Sequence, residues 1–157
     1  MTQQQHHDRD LVIALGQRLG VDPQKLLGQL DDRGHVVELR LSRLGLSLFP
    51  EEIAHFTHLQ KLYLNANELT EVPPTIGRLT ELRLLGLREN RLSTLPAELA
   101  HCQALRLLDL GQNSFTHLPV AILAKLPHLG LLDISGNPVA RGELPAEATL
   151  LPCTIKR

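Results

Sequence analysis

The stretch that decides the fold is LYLNANELTEVPPTIGRLTE, residues 62–81. Apolar residues recur in it at short, unequal intervals, and one asparagine, Asn67, lies among them. An asparagine in this setting is either a binding residue or a part of the scaffold. Which of the two it is depends on whether the same pattern occurs elsewhere in the chain.

The pattern recurs along most of the chain. Four good copies begin at Leu59, Leu82, Leu105 and Leu129, and a degenerate copy begins at Val36. The starting points are separated by 23, 23, 23 and 24 residues. A fixed period of this length predicts a solenoid, in which each repeat buries its apolar side chains against its neighbours.

The shared pattern is L-x-x-L-x-L-x-x-N-x-L, followed by x-x-L-P-x-x-I-x-x-L. It resembles the leucine-rich repeat, in the Ras-group-like or bacterial-type form with 23 residues per repeat. The resemblance covers roughly residues 36 to 145. It implies an α/β fold, a right-handed curved horseshoe segment with a parallel concave sheet and short helical or 3₁₀ segments on the convex side.

The two halves of a repeat have different periods. The first half alternates with period two and predicts a short strand, with Leu62 and Leu64 pointing inward. The second half has a spacing of three to four residues, which is typical of a helical turn that starts at a proline. We expect the following residues to close the core from the convex side: Ile76, Leu79, Leu99, Cys102, Ile122 and Leu126.

The asparagines form a column with the period of the repeat. A side-chain amide carries both donors and an acceptor, so it can satisfy backbone groups that a sharp turn leaves unpaired. The degenerate first copy has Leu44 at this position, as expected for an end repeat. The predicted structural ladder consists of Asn67, Asn90, Asn113 and Asn137.

The ends of the chain depart from the repeat and predict caps. Leu11, Leu15 and Leu19 are spaced four apart, as in an amphipathic helix, and Asp22 with Pro23 is typical of a helix start. The predicted domains are a disordered tail at 1–7, a helical N-terminal cap at 8–35, a solenoid of about five repeats at 36–145 and a C-terminal cap at 146–157.

Composition argues against several classes of protein. The net charge is -1, no apolar run is long enough for a membrane span, and the polar N-terminus is not a secretory signal. Cys102 and Cys153 lack a C-x-x-C spacing, His55 and His58 fall on loop and convex positions, and no nucleophile or phosphate-loop motif occurs. We therefore expect a cytoplasmic protein without catalytic residues, metal or cofactor, and with no nucleic acid or membrane as partner.

The outward positions of the strands are where the repeat leaves the residue type free. Leu84, Leu107 and Leu131 stack as an apolar row, which a lone soluble domain has little reason to expose. The alternative is that this row packs under a loop or extends the core edge. Tyr63 is the candidate hot spot, and charge passes from basic to acidic along the column that contains it. The predicted partner-binding residues on the concave face are Glu38, Arg40, Lys61, Tyr63, Asn65, Leu84, Arg88, Leu107, Asp109, Leu131 and Asp133.

The resemblance implies a non-enzymatic module that binds a protein partner of unknown identity through the concave face. One alternative is the recognition portion of a larger signalling or effector protein, of the ubiquitin ligase or kinase type. Another is a nucleic-acid-linked regulator that uses the N-terminal helices, since the sequence of residues 15–30 loosely resembles a helix–turn–helix motif. That segment offers only Gln24, Lys25 and Gln29 for reading DNA, which makes this alternative the weaker one.

Overall fold

Within residues 3–157 the strands form one sheet of seven, in which they lie side by side in sequence order. The computed structural model describes residues 3–157, and their side chains from residue 7 onward. From the second strand to the seventh, each strand pairs in parallel with the next. This arrangement confirms the predicted solenoid. The strands are β1 (Leu27–Leu30), β2 (Val36–Arg40), β3 (Lys61–Tyr63), β4 (Leu84–Gly86), β5 (Leu107–Asp109), β6 (Leu131–Asp133) and β7 (Thr154–Lys156).

Short helical segments return the chain on the convex side. Each follows a proline directly, except the segment that starts with Pro138 itself, because proline fixes φ near the helical value and needs no hydrogen-bond acceptor for its nitrogen. In the fourth repeat the segment is a single α-helical turn, α3 (Val120–Leu123), that follows Pro119. The 3₁₀ segments are Glu51–His55, Pro74–Arg78, Ala97–His101, Pro138–Arg141 and Ala146–Leu150.

The core is a continuous stack of leucines between the sheet and these segments. Ile76 and Leu99 are fully buried at the convex side, as expected from the repeat. The expectation for Ile122 was wrong, because Ile122 is only half-buried and Leu123 is fully buried instead. The repeat is one residue longer there and forms a full α-helical turn, which moves the inward direction to the next side chain.

The asparagine side chains hydrogen-bond to two successive repeats. Asn90 Nδ2 donates to the carbonyl of Leu87 in its own repeat and to that of Leu64 in the preceding one, both at 3.0 Å. Its Oδ1 accepts the N–H of Leu69, also in the preceding repeat, at 3.0 Å. Asn67, Asn113 and Asn137 repeat this pattern of donors and acceptor.

The residue directly before Leu44 and before each asparagine of the column has a left-handed backbone, which the sequence analysis did not predict. A positive φ costs an L-residue roughly 1–2 kcal/mol, and only glycine adopts it freely. Four of these five positions nevertheless carry a residue with a side chain, so the turn is imposed by the hydrogen bonds around it. The positions are Arg43, Ala66, Glu89, Gln112 and Gly136, with φ of 61°, 54°, 58°, 54° and 75°.

The N-terminal cap consists of two helices and a strand. α1 (Gln3–Leu19) places Val12 and Leu15 in the core, and Asp22 caps α2 (Pro23–Leu26) by accepting the N–H of Gln24 at 3.0 Å. β1 then pairs antiparallel with β2, a strand that the sequence analysis did not predict. Because α2 is a single turn followed by a strand, a second helix of a helix–turn–helix motif is not formed. Residues 3–7, expected as tail, lie in α1, and residues 1 and 2 fall outside the described part of the chain.

The C-terminal end is closed by β7, which continues the parallel sheet beyond β6. Arg157 folds back and donates to the carbonyls of Ala140 and Gly142. These bonds tie the end of the last strand to the turn at residues 140–142. The tail therefore covers the last repeat with backbone pairing and with a basic side chain.

Candidate protein-binding surface

The register of the sheet aligns the outward side chains into columns across the strands. Lys61 pairs with Leu84, Leu84 with Leu107 and Leu107 with Leu131, so equivalent residues of successive repeats are direct neighbours. The first column is Glu38, Lys61, Leu84, Leu107, Leu131 and Thr154. The middle column is Arg40, Tyr63, Gly86, Asp109, Asp133 and Lys156.

Leu84, Leu107 and Leu131 form an apolar row on three adjacent strands, which we call the leucine stripe. Each is half-buried, whereas the next residue on its strand, such as Leu108 after Leu107, is fully buried. The stripe therefore lies on the outer face of the sheet, with part of each side chain open to solvent. Adjacent strands in a sheet are about 4.8 Å apart, so the stripe is about 10 Å long between its outer members.

Two arginines border the leucine stripe at the strand entrances. Arg83 and Arg106 immediately precede Leu84 and Leu107, and both side chains are exposed. Their backbone is fixed, because the carbonyl of Arg83 accepts from the N–H groups of Arg106 and Leu107 at 2.9 and 3.1 Å. Neither guanidinium makes an ion pair with an acid in the described chain. The sequence analysis missed this pair, although both residues stand at the same position of successive repeats.

Asp109 borders the stripe on its other side. Its Oδ1 accepts the N–H of Gly111 at 2.9 Å, and its side chain is half-buried. It makes no ion pair with a base in residues 3–157. The stripe thus has cations along one edge and a carboxylate at the other, across the width of the sheet.

Asn65 and Arg88 lie flat across the sheet and bond to neighbouring strands. Asn65 Oδ1 accepts the N–H of Arg88 at 3.0 Å. Arg88 reaches over Gly111 to Ser135, with 3.3 Å between its Nη1 and Ser135 Oγ. A Cβ on Gly111 would collide with the guanidinium, so glycine makes this crossing possible. Both predicted contact residues therefore also hold the sheet together.

Glu38 was expected on the binding surface but is 6 % exposed. Its carboxylate lies 2.8 Å from Arg40 Nε and 3.4 Å from Lys61 Nζ. β1 covers it, and Gly28 lets the strand approach because any Cβ there would meet the Glu38 side chain at 2.5 Å. Arg40 is exposed and Lys61 half-buried, so the acid serves to position these two bases.

Asp133 was also expected to be exposed but is 7 % exposed. Lys156 Nζ lies 2.8 Å from its Oδ2, and Ser135 Oγ donates to its Oδ1 at 2.6 Å. Desolvation raises the pKa of Asp133, but the hydrogen bonds from Lys156 and Ser135 outweigh it and hold the pKa below its ordinary value. The expected passage from basic to acidic charge therefore ends in a cation, and Asp109 is the acid left open in the middle column.

His35, His58 and Cys102 have structural partners. His58 Nδ1 lies 3.0 Å from Glu81 Oε1, and its ring stacks on that of His35 with centroids 4.1 Å apart. Cys102 donates to the carbonyl of Ile76, and burial raises the pKa of its thiol to about 12. A thiol in that state is protonated at neutral pH and is a poor nucleophile.

The part of the chain that the structure describes holds neither a metal-binding cluster nor a membrane-spanning helix. No group of three or more histidine, cysteine, aspartate or glutamate side chains is arranged to hold a metal ion there. None of its helices combines the length and the apolar character that crossing a bilayer requires.

Solved structures similar to this chain contain leucine-rich repeats. A leucine-rich repeat protein of Leptospira interrogans is 32% identical, with a TM-score of 0.62, and the match covers 71% of this chain and 28% of that protein. An internalin of Listeria monocytogenes is 22% identical, with a TM-score of 0.51 over 57% of this chain and 25% of its own, and shows the fold alone. This chain therefore spans about a quarter of the length of either structure. No curated protein sequence matches it significantly.

The family assignment rests on sequence as well as on structure. The model of the family described as leucine rich repeat matches residues 57–115 and again residues 80–139, which together exceed half of the chain. These matches contain the asparagine column and the strands β3 to β6 that carry the leucine stripe. The chain belongs to the leucine-rich repeat family.

Proposed function

We propose that this protein is a non-enzymatic module that binds a protein partner through the concave face of its solenoid. The observation that carries the proposal is the leucine stripe, a row of three half-buried leucines in register on adjacent strands. Burial of apolar surface of this kind contributes about 25 cal/mol per Å² when a partner covers it. Leucine-rich repeat folds are commonly protein–protein interaction modules, which supports the proposal.

The surroundings of the stripe have the composition of an interface. An apolar centre with polar and charged side chains around it is typical of the surfaces that proteins use to bind one another. Arg83 and Arg106 lie at one edge and Asp109 at the other, while Tyr63 and Arg40 extend the face toward the N-terminal cap. Tyrosine and arginine are over-represented among residues that dominate binding energy.

The proposal is tested by affinity capture from native lysate with the wild-type protein and two matched variants. Leu107→Glu places a charge in the middle of the stripe, and Leu150→Glu makes the same change at a side chain that is 82% exposed in the C-terminal cap. We expect Leu107→Glu to lose the captured protein and Leu150→Glu to retain it. Both variants are first compared with the wild type by thermal unfolding.

Two results would contradict the proposal. Equal capture by the two variants would place binding elsewhere on the molecule. Loss of the thermal transition in Leu107→Glu would assign Leu107 to the core rather than to a binding surface. The milder Leu107→Ser then separates the two roles, because a core residue loses stability on truncation whether or not a partner is present.

A second candidate is that this module is the recognition portion of a larger signalling or effector protein. The observation in its favour is length, because the chain spans 28% and 25% of the two solved structures that it resembles. Determining the full open reading frame and its neighbours tests this candidate. A catalytic domain of the ubiquitin ligase or kinase type in the same chain would support it, and an isolated frame of 157 residues would contradict it.

A further inference from the structure

We propose that the partner segment on the leucine stripe is an amphipathic helix that lies across the strands, with carboxylates on the flank that faces Arg83 and Arg106. This inference rests on the proposed function and adds the chemistry of the ligand. It is drawn from the spacing of the stripe and from the charges at its two edges.

The spacing of the stripe fits the pitch of a helix. Its three leucines are separated by one strand spacing each, about 4.8 Å, so the outer two are about 10 Å apart. Along an α-helix, residues i, i+4 and i+7 lie on one face and span about 10.5 Å, at about 1.5 Å per residue. In an extended segment three residues on one side span about 13 Å, which exceeds the stripe. A helix therefore matches all three leucines at once.

The first edge of the stripe selects for acidic side chains. Arg83 and Arg106 are exposed and precede two of the stripe leucines. Within residues 3–157 no acidic side chain neutralises either of them. Guanidinium groups bind carboxylates with two parallel hydrogen bonds, which gives them preference over a neutral ligand. A helix with glutamate or aspartate beside its apolar row satisfies both.

The second edge fixes which way the helix faces. Among the described residues, Asp109 is the one carboxylate of the middle column without a basic partner, because Asp133 is bound by Lys156 and Ser135. A lysine or arginine on the far flank of the helix pairs with Asp109, whereas an acid there is repelled. Gly86 lies beside Asp109 in the middle column, has no side chain of its own, and is covered only by the amide of Asn65 among its nearest side chains. The expected ligand therefore carries acids on one flank and a base on the other.

The test is selection from a random 16-residue peptide library, displayed on phage, against the immobilised full chain. Clones that also bind Leu107→Glu are removed. We expect the remaining sequences to share apolar residues at i, i+3 or i+4, and i+7, with an excess of acids on one flank. Enriched sequences with alternating apolar residues, or with basic flanks, would overturn the helix and the charge assignment respectively. Absence of any enrichment that depends on Leu107 would also overturn the inference.

The charge assignment is measured directly on a selected peptide made synthetically. Arg83→Glu combined with Arg106→Glu is expected to weaken its binding by about tenfold or more, with a smaller difference at high salt. Arg78→Glu combined with Lys125→Glu reverses two exposed bases at the convex segments, is the matched control and is expected to bind normally. If the control weakened binding equally, the effect would come from the net charge of the protein, and the assignment of the acidic flank to Arg83 and Arg106 would be contradicted.

Two outcomes separate this inference from the proposed function. If lysate capture depends on Leu107 but the selected peptides are not helical when bound, by circular dichroism, the function stands and the helix does not. If the wild-type chain dimerises in analytical ultracentrifugation and Leu107→Glu does not, a second copy of this chain covers the stripe. That result would also overturn the helix as its ligand.

Discussion

Leu107 and Leu108 are the same residue type, one position apart on β5, and their environments are opposite. Leu108 is fully buried in the core, and Leu107 is half-buried in the leucine stripe. The same division separates Asn90, buried behind its turn, from Asn65, which lies on the concave face. The inward side chains of a strand therefore stabilise the solenoid, whereas its outward side chains are available to a partner. Residue type alone does not tell which face a side chain occupies.

The largest effect is expected from truncating the inward leucine. Leu108→Ala removes fully buried methyl groups and leaves a cavity, which costs about 2–5 kcal/mol of unfolding free energy. Leu107→Ala is expected to cost less than about 1 kcal/mol, because much of the lost side chain is already in contact with water. Urea denaturation of the two variants measures the difference. Equal losses would mean that the two faces of the strand are not energetically distinct.

The next effect concerns the asparagines. Asn90→Ala leaves the buried N–H of Leu69 without a partner, at about 1–3 kcal/mol for an unpaired buried group. The carbonyls of Leu64 and Leu87 lose one of their two amide donors and keep those of Asn67 and Asn113. Asn65→Ala, the matched change on the concave face, is expected to cost about 1 kcal/mol or less, since Arg88 N–H is closer to solvent. Chemical denaturation midpoints compare the two. An unchanged midpoint for Asn90→Ala would show that the ladder does not stabilise the turns.

Asp133 stands at an outward position of its strand, but Lys156 and Ser135 bind its carboxylate. Its contribution to the unfolding free energy is therefore expected to depend on pH. Its pKa in the folded protein lies below the ordinary value of 3.8, so the ionised carboxylate adds stability above pH 3.8. That contribution is lost as the pH falls through the folded-state pKa. Asp133→Asn is expected to cost about 1 kcal/mol at pH 7 through its weakened hydrogen bonds. The difference in unfolding free energy between this variant and the wild type is expected to decrease in acid. Unfolding free energies from pH 7 to pH 3 test this, and a constant gap would contradict it.

The smallest effect is expected at the left-handed turn positions. Ala66 has a φ of 54°, and Ala66→Gly relieves the strain of roughly 1–2 kcal/mol that this conformation imposes. Glycine loses about 0.5–1 kcal/mol through its greater freedom in the unfolded chain, so a net gain of about 0–1.5 kcal/mol remains, about 0.7 kcal/mol at mid-range. Calorimetry of this variant and of Thr70→Gly, an exposed loop position, gives the comparison. A loss of stability equal to that of the control would show that the turn is not strained.

The sequence predicted what the repeat dictates and missed what lies outside the repeat. The strands, their register and the placing of the asparagines follow from a period of 23, and Asp22 was recognisable as a helix cap from its own neighbours. β1 was missed because LGQL carries no alternation that distinguishes it from the end of α2. The burial of Glu38 and Asp133 was missed for a related reason, since β1 and Lys156, which cover them, belong to no repeat.

The hydrogen bonds of the asparagine column have a direction. Each asparagine accepts from an N–H and donates to a carbonyl of the repeat before it, as Asn113 does with Leu92 and Leu87. During synthesis, which proceeds from the N-terminus, a repeat that has left the ribosome therefore still lacks the amide of its successor. Each turn is completed only when a further repeat of about 23 residues has emerged. A nascent chain that has passed its first repeat accordingly ends in one turn whose N–H still lacks its asparagine partner, and a premature stop between these repeats leaves that N–H unpaired.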